Sequence, residues 1–183
     1  MLYIFLAVVV LGSLWAVATY NKGVKLRNQV EESWSGISVQ LKRRYDLIPN
    51  LVNTVKGYAK HEQETLENVI QLRNQAQGVP GDKVEAQAQA EQQLSAGIRG
   101  IFALAENYPE LKANQNFIEL QGSLTDIEDN IQNARRYYNA VVRDNNNYVE
   151  TFPSMIIAQM GGFNTFPYFE IDAQERENVE VKF

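Results

Sequence analysis

Residues 117–148 read FIELQGSLTDIEDNIQNARRYYNAVVRDNNNY, and the spacing of their apolar positions decides the fold. Phe117, Leu120, Leu124, Ile127, Ile131, Ala134, Tyr138, Val141, Asn145 and Tyr148 alternate steps of three and four without a break. A period near 3.5 is the seam of a helix packed at a shallow angle against its neighbours. Fully burying one large apolar side chain contributes about 1.5–3 kcal/mol, so this stripe can help hold a bundle together. The intramolecular reading is preferred; an intermolecular coiled coil would use the same residues.

Upstream of the seam, Gly78-Val79-Pro80-Gly81 and Asn107-Tyr108-Pro109 are turns. Pro49 is expected in a first helical turn capped by Asp46, so one helix should end near Tyr45 and the next begin near Leu47. Leu26, Val30, Trp34, Ile37, Leu41 and Ile48 mark the first helix. Leu51, Val52, Val55, Ala59, Leu66, Val69 and Leu72 mark the second. The third is an Ala/Gln-rich run with Val84, Leu94, Ile98, Phe102 and Ala105, and its Gly97 and Gly100 are spaced for close helix packing. No stretch alternates as a strand would. The expected fold is all-α: an N-terminal transmembrane helix continuing into an antiparallel up-down four-helix bundle with long helices.

The anchor is read from charge. Met1 to Asn21 holds no charged side chain, and Leu2 to Ala18 is almost wholly apolar. About 20 such residues cross a bilayer's hydrocarbon. Ala16-Val17-Ala18 has the form of a signal-peptide cleavage site, but no Lys or Arg opens the segment and the run exceeds a signal core, which favours an anchor. Lys22, Lys25 and Arg27 follow directly and predict an external amino terminus with the bulk of the chain in the cytoplasm. Three parts are expected: an anchor at 1–21 in contact with membrane lipid, a helical bundle at 22–150 and a tail at 151–183.

Composition narrows the function. A net charge of −5 argues against a nucleic-acid binder, which would show a basic footprint. The absence of cysteine removes disulfides, thiol nucleophiles and thiolate zinc sites. His61 is the single histidine, so a multi-histidine metal site is excluded, and Tyr58 stands where a Glu-x-x-His pair would need its glutamate. No serine has a histidine and acid arrayed around it. Neither cofactor, metal nor enzymatic activity is expected.

Two constellations remain. Glu128, Gln132, Arg135 and Asn139 form a polar stripe beside the seam, and Lys42-Arg43-Arg44 lies next to Tyr45. Arg43 lies roughly 37 Å beyond the anchor along a continuous helix, too far for headgroup contact without a bend. The expectation is therefore a register-setting network drawn from Arg43, Arg44, Asp46, Glu128, Arg135, Arg136 and Asn139, in which Glu128 pairs with Arg43 or Arg44. The tail is dense in large apolar groups. Phe152, Met155, Ile156, Met160, Phe163, Phe166 and Phe169 either fold back over the bundle or form an oligomer interface. Asp172 to Phe183 is mostly charged and is expected to follow the fold loosely.

Several blocks resemble the LemA family: Tyr20-Asn21, Leu26-Arg27-Asn28, Trp34-Ser35 and the run from Val39 to Val52. The resemblance continues at Thr54-Val55-Lys56-Gly57-Tyr58, Glu106-Asn107-Tyr108-Pro109, Asn116-Phe117, Arg135-Arg136-Tyr137-Tyr138-Asn139 and Phe152-Pro153. Ser38 departs from it, standing where the family pattern has an aspartate. The resemblance implies a single-pass protein of the bacterial inner membrane with a cytoplasmic helical bundle, and it brings no settled activity. Two function classes follow. The first is a membrane-tethered scaffold that forms homo-oligomers or binds other membrane proteins; the second is an enzyme or small-molecule binder with a polar pocket in the bundle core. Long uniform helices without convergent titratable groups favour the scaffold.

Overall fold

The computed structural model describes residues 1–170; the charged stretch from Asp172 lies outside the described residues. Six helices and no strand occur among the described residues: α1 (Leu2–Lys56), α2 (Gln63–Gln77), α3 (Val84–Ala105), α4 (Pro109–Lys112), α5 (Gln115–Glu150) and α6 (Ser154–Gly161). The described chain forms two compact units: Met1–Ile37 with Ala134–Tyr168, and Ser38–Asn133 with Phe169 and Glu170.

The expected break at Asp46 is absent. α1 runs through Asp46 and Pro49 as one 55-residue helix, and Asp46 is an exposed mid-helix residue, not a cap. Proline at 49 has no N–H to give the carbonyl of Tyr45, four residues earlier. Arg73 on α2 supplies the missing donor, its Nε bonding the Tyr45 oxygen at 2.9 Å. The orphaned carbonyl is satisfied from another helix, so the helix continues.

The real break comes later. Gly57 follows Lys56, and the amides of Tyr58 and Ala59 both turn back to the Val55 carbonyl. The stretch expected as one helix from Leu47 to Leu72 is therefore the end of α1 plus α2. Glycine lowers helix stability by about 1 kcal/mol relative to alanine, which makes this a natural place to stop.

In the second unit α2 and α3 pack closely. A Cβ added at Gly97 would lie 3.0 Å from Leu72 and 3.2 Å from Val69, whereas one at Gly100 would meet open space. Only the first of the two glycines serves helix approach. Leu41, Ile48, Leu51, Val55, Leu66, Val69, Leu94, Ile101, Leu111, Phe117, Leu124 and Ile131 fill this core. Along α5 the heptad position Phe117, Leu124, Ile131, Tyr138, Asn145 is buried throughout, while Leu120, Ile127 and Ala134 are only half-buried.

In the first unit, the apolar start of α1 is exposed while its continuation packs. The Trp34 and Tyr138 rings lie 5.5 Å apart, and Tyr148, Ala158 and Phe163 form a cluster with Val24, Leu26 and Val149. Gly23 allows that cluster to close, because a Cβ there would lie 2.7 Å from the Tyr148 hydroxyl and 2.9 Å from Phe163. The hydroxyl instead passes and donates to the Thr19 carbonyl at 3.0 Å.

Candidate functional site

The polar side chains that converge most tightly lie in the second unit, between α1, α3 and α5. Arg44 is 1% exposed and Glu91 4%. The Arg44 Nη2 pairs with Glu91 Oε2, and its Nη1 reaches Ser95 Oγ at 2.9 Å and Glu128 Oε2 at 2.6 Å. Tyr45, the next residue on α1, donates its hydroxyl to Glu91 Oε1. Gln87 completes the cluster by donating to Glu91 at 2.6 Å, to the Tyr45 hydroxyl oxygen at 3.0 Å and to the Ala76 carbonyl at 3.2 Å.

The local logic is helical. Gln87, Glu91 and Ser95 recur every four residues and therefore share one face of α3. That face meets Arg44 and Tyr45, and Glu128 closes the cluster from α5. Burial first, and then the Glu91 carboxylate, push the Tyr45 phenol above its ordinary range, so it remains a donor. A buried charge without partners would be costly; here one guanidinium faces two carboxylates and a hydroxyl.

A half-open cavity of about 240 Å³ adjoins this cluster, reached by Arg44, Ser95 and Glu128 and walled by Ile98, Phe102 and Leu124. A second, of about 450 Å³, lies between the end of α1 and α2, with Val52, Ala59, Leu66 and Ile70 inside and Lys56 and Lys60 among its lining. No group of three His, Cys, Asp or Glu able to hold a metal occurs among the described residues.

The residues expected to form one network are divided. Arg44 and Glu128 meet in the second unit, while Arg43 is exposed on α1 and Asp46 points to solvent. Arg135, Arg136 and Asn139 belong to the first unit, where Arg136 is exposed and the other two are half-buried. Glu91, Gln87 and Ser95 were not anticipated. Their four-residue spacing in the Ala/Gln-rich run was the available signal.

The tail residues divide as well. Phe163 and Phe169 are buried and Phe166 and Met155 half-buried, but Phe152, Ile156 and Met160 are exposed. After Gly162, whose φ of 68° suits glycine, the chain returns along α5. Asn145 donates to the Asn164 carbonyl at 3.0 Å, Asn146 exchanges two bonds of 2.9 Å with the backbone of Phe166, and the Tyr138 hydroxyl donates to Pro167 at 3.0 Å.

The LemA family model matches residues 33–183. The chain belongs to the LemA family. It is 26% identical to Protein LemA of Metamycoplasma hominis over 185 residues, covering 98% of this chain and 82% of that protein. It is 23% identical to the magnetosome protein MamQ of Magnetospirillum gryphiswaldense over 194 residues, 91% of this chain and 71% of that one. A MamQ of Paramagnetospirillum magneticum is 24% identical over 177 residues, covering 82% and 64%. Both the buried cluster and the returning tail of this LemA-family chain lie inside the matched region.

Proposed function

We propose that this protein is a membrane-tethered scaffold: one transmembrane helix, amino terminus outside, carrying a cytoplasmic antiparallel helical bundle that self-associates or binds other membrane proteins. The observation that carries the non-enzymatic part is the pairing of Arg44 with Glu91, Glu128 and Ser95. Both Nη atoms of Arg44 and both carboxylate oxygens of Glu91 are engaged within the cluster across three helices, as in a register-fixing network; a catalytic floor keeps reactive groups aimed at a ligand. The tether rests on the apolar start of α1, long and apolar enough to cross a membrane and exposed along almost all of its length. Orientation in the bacterial inner membrane rests on Lys22, Lys25 and Arg27, all within the distance over which positive charge favours the cytoplasm.

The test is the mass of the full-length protein in mild detergent beside a chain starting at Lys22. A defined oligomer of the full-length form is expected; monomers in both, with no crosslinked partner in native membranes, would overturn the scaffold. The second reading, a small-molecule binder, is favoured by the cavity of about 450 Å³ with its apolar lining and two lysines. Saturable binding of an anionic amphiphile, abolished by Leu66→Trp, would select it.

A further inference from the structure

Beyond the apolar start of α1, α6 in the first unit also presents large apolar side chains outward. Ile156 is 48% exposed and Met160 81%, four residues apart on one side of the helix, and Phe152, just before the helix, is 73% exposed. No lysine, arginine, aspartate or glutamate occurs from Thr151 through Phe169. A solvent-facing surface segment of that length normally carries charge; a segment in contact with lipid does not.

Its position in the unit identifies what covers it. Ile157, Met160 and Gly161 line an apolar groove of about 350 Å³ together with Ala16, Val17 and Tyr20, the last turns of the apolar run of α1. Tyr20 packs on Phe163 with ring centroids 5.4 Å apart, and a Cβ at Gly161 would lie 3.1 Å from the Tyr20 ring. α6 is thus at the depth where α1 leaves the bilayer. Trp15 and Tyr20 bracket that depth, as amphipathic aromatics do at membrane interfaces, and Lys22 and Lys25 follow within two turns. Its apolar face is therefore continuous with the lipid-facing surface of the span.

We propose that α6 is an interfacial helix, seated in the headgroup and upper acyl region of the leaflet with Phe152, Ile156 and Met160 inserted into lipid. Such helices bury their apolar face about 5–10 Å into that boundary. The protein then holds the membrane at two places, one crossing it and one lying in it. The proposal rests on the reading of Leu2–Ala18 as a membrane span, so the test reports on the two separately.

The chain has no cysteine, so single cysteines label cleanly. The full-length variants Met160→Cys, Phe152→Cys, Val8→Cys and Glu32→Cys would carry an environment-sensitive fluorophore in phosphatidylcholine–phosphatidylglycerol vesicles. Labels at 160 and 152 are expected to emit blue-shifted light, to be quenched by lipids bearing a doxyl group near the top of the acyl chain, and to resist iodide several-fold better than the label at 32. Val8→Cys reports the span through deep doxyl quenching. If Val8 is lipid-quenched while 160 and 152 are open to iodide, the interfacial helix is wrong and the span stands. Shielding of 160 from both quenchers, with dipolar coupling between spin labels at 160, would assign the face to a second copy and equally overturn lipid insertion. If the label at 8 is open to iodide, both readings fall.

Discussion

The two units of this protein are held together by different chemistry. The second is centred on charge: Arg44, Glu91 and Glu128, with Tyr45, Gln87 and Ser95 hydrogen-bonded to them. The first, which carries the apolar start of α1, has ring packing among Tyr20, Tyr148 and Phe163 and neutral amides and hydroxyls bonded to backbone. Its Arg27 lies 6.0 Å from the Phe163 ring centroid, a cation over an aromatic face. Charge networks specify geometry strongly and fail abruptly when one member is lost; neutral contacts fail by degrees.

That contrast can be broken most severely at Arg44. Arg44→Leu leaves the Glu91 carboxylate buried without its counter-ion and should lower unfolding stability by about 3–5 kcal/mol, measured by urea denaturation. Adding Glu91→Leu should restore much of the loss, because two apolar residues can replace a buried pair. Equal loss in single and double variants would show that the cluster does not carry the unit's stability.

In the first unit the largest effect is steric. Gly23→Ala places a methyl group against the Tyr148 hydroxyl and Phe163 and should cost about 1–3 kcal/mol, read as a lower thermal midpoint in detergent. Gly100→Ala, which meets open space, is the control and should stabilise slightly.

An effect of similar size is expected at Arg73. Arg73→Ala strips the Tyr45 carbonyl of its substitute donor and should cost about 1–3 kcal/mol. In a Pro49→Ala background the backbone N–H returns, and the same substitution should cost markedly less. Identical costs in both backgrounds would disprove the compensation.

The mildest prediction concerns pH. The Tyr45 phenol is raised in the folded state, so its contribution is complete below the ordinary tyrosine value and is lost as pH rises beyond about 10. Urea midpoints of the parent should therefore fall with alkaline pH more steeply than those of Tyr45→Phe.

Much of the helical pattern was legible because it is local. The charge-free start of the chain and the unbroken three-four spacing of α5 each depend only on neighbours in sequence. The break expected at Asp46 failed for the opposite reason: whether Pro49 stops a helix was decided by Arg73, on another element. Glu91 escaped notice because α3 is rich in Ala and Gln and so offers little apolar contrast against which a buried acid stands out. Arg135, Arg136 and Asn139 share a face of α5 with Glu128 in sequence, yet α5 is long enough to pass from one unit to the other between them. The density of apolar groups in the tail was visible, but not the return of the chain along α5, which depends on the amides of Asn145 and Asn146 and on the turn at Gly162.

The bond from Arg73 to the Tyr45 carbonyl makes the integrity of α1 conditional. α2 is 15 residues long, near the limit at which an isolated helix is marginal in water. Whenever α2 loosens, Pro49 is left with an uncompensated gap in the ladder, and the longest element of the protein acquires a joint. A ligand or neighbour that grips α2 would thereby stiffen a helix it never touches.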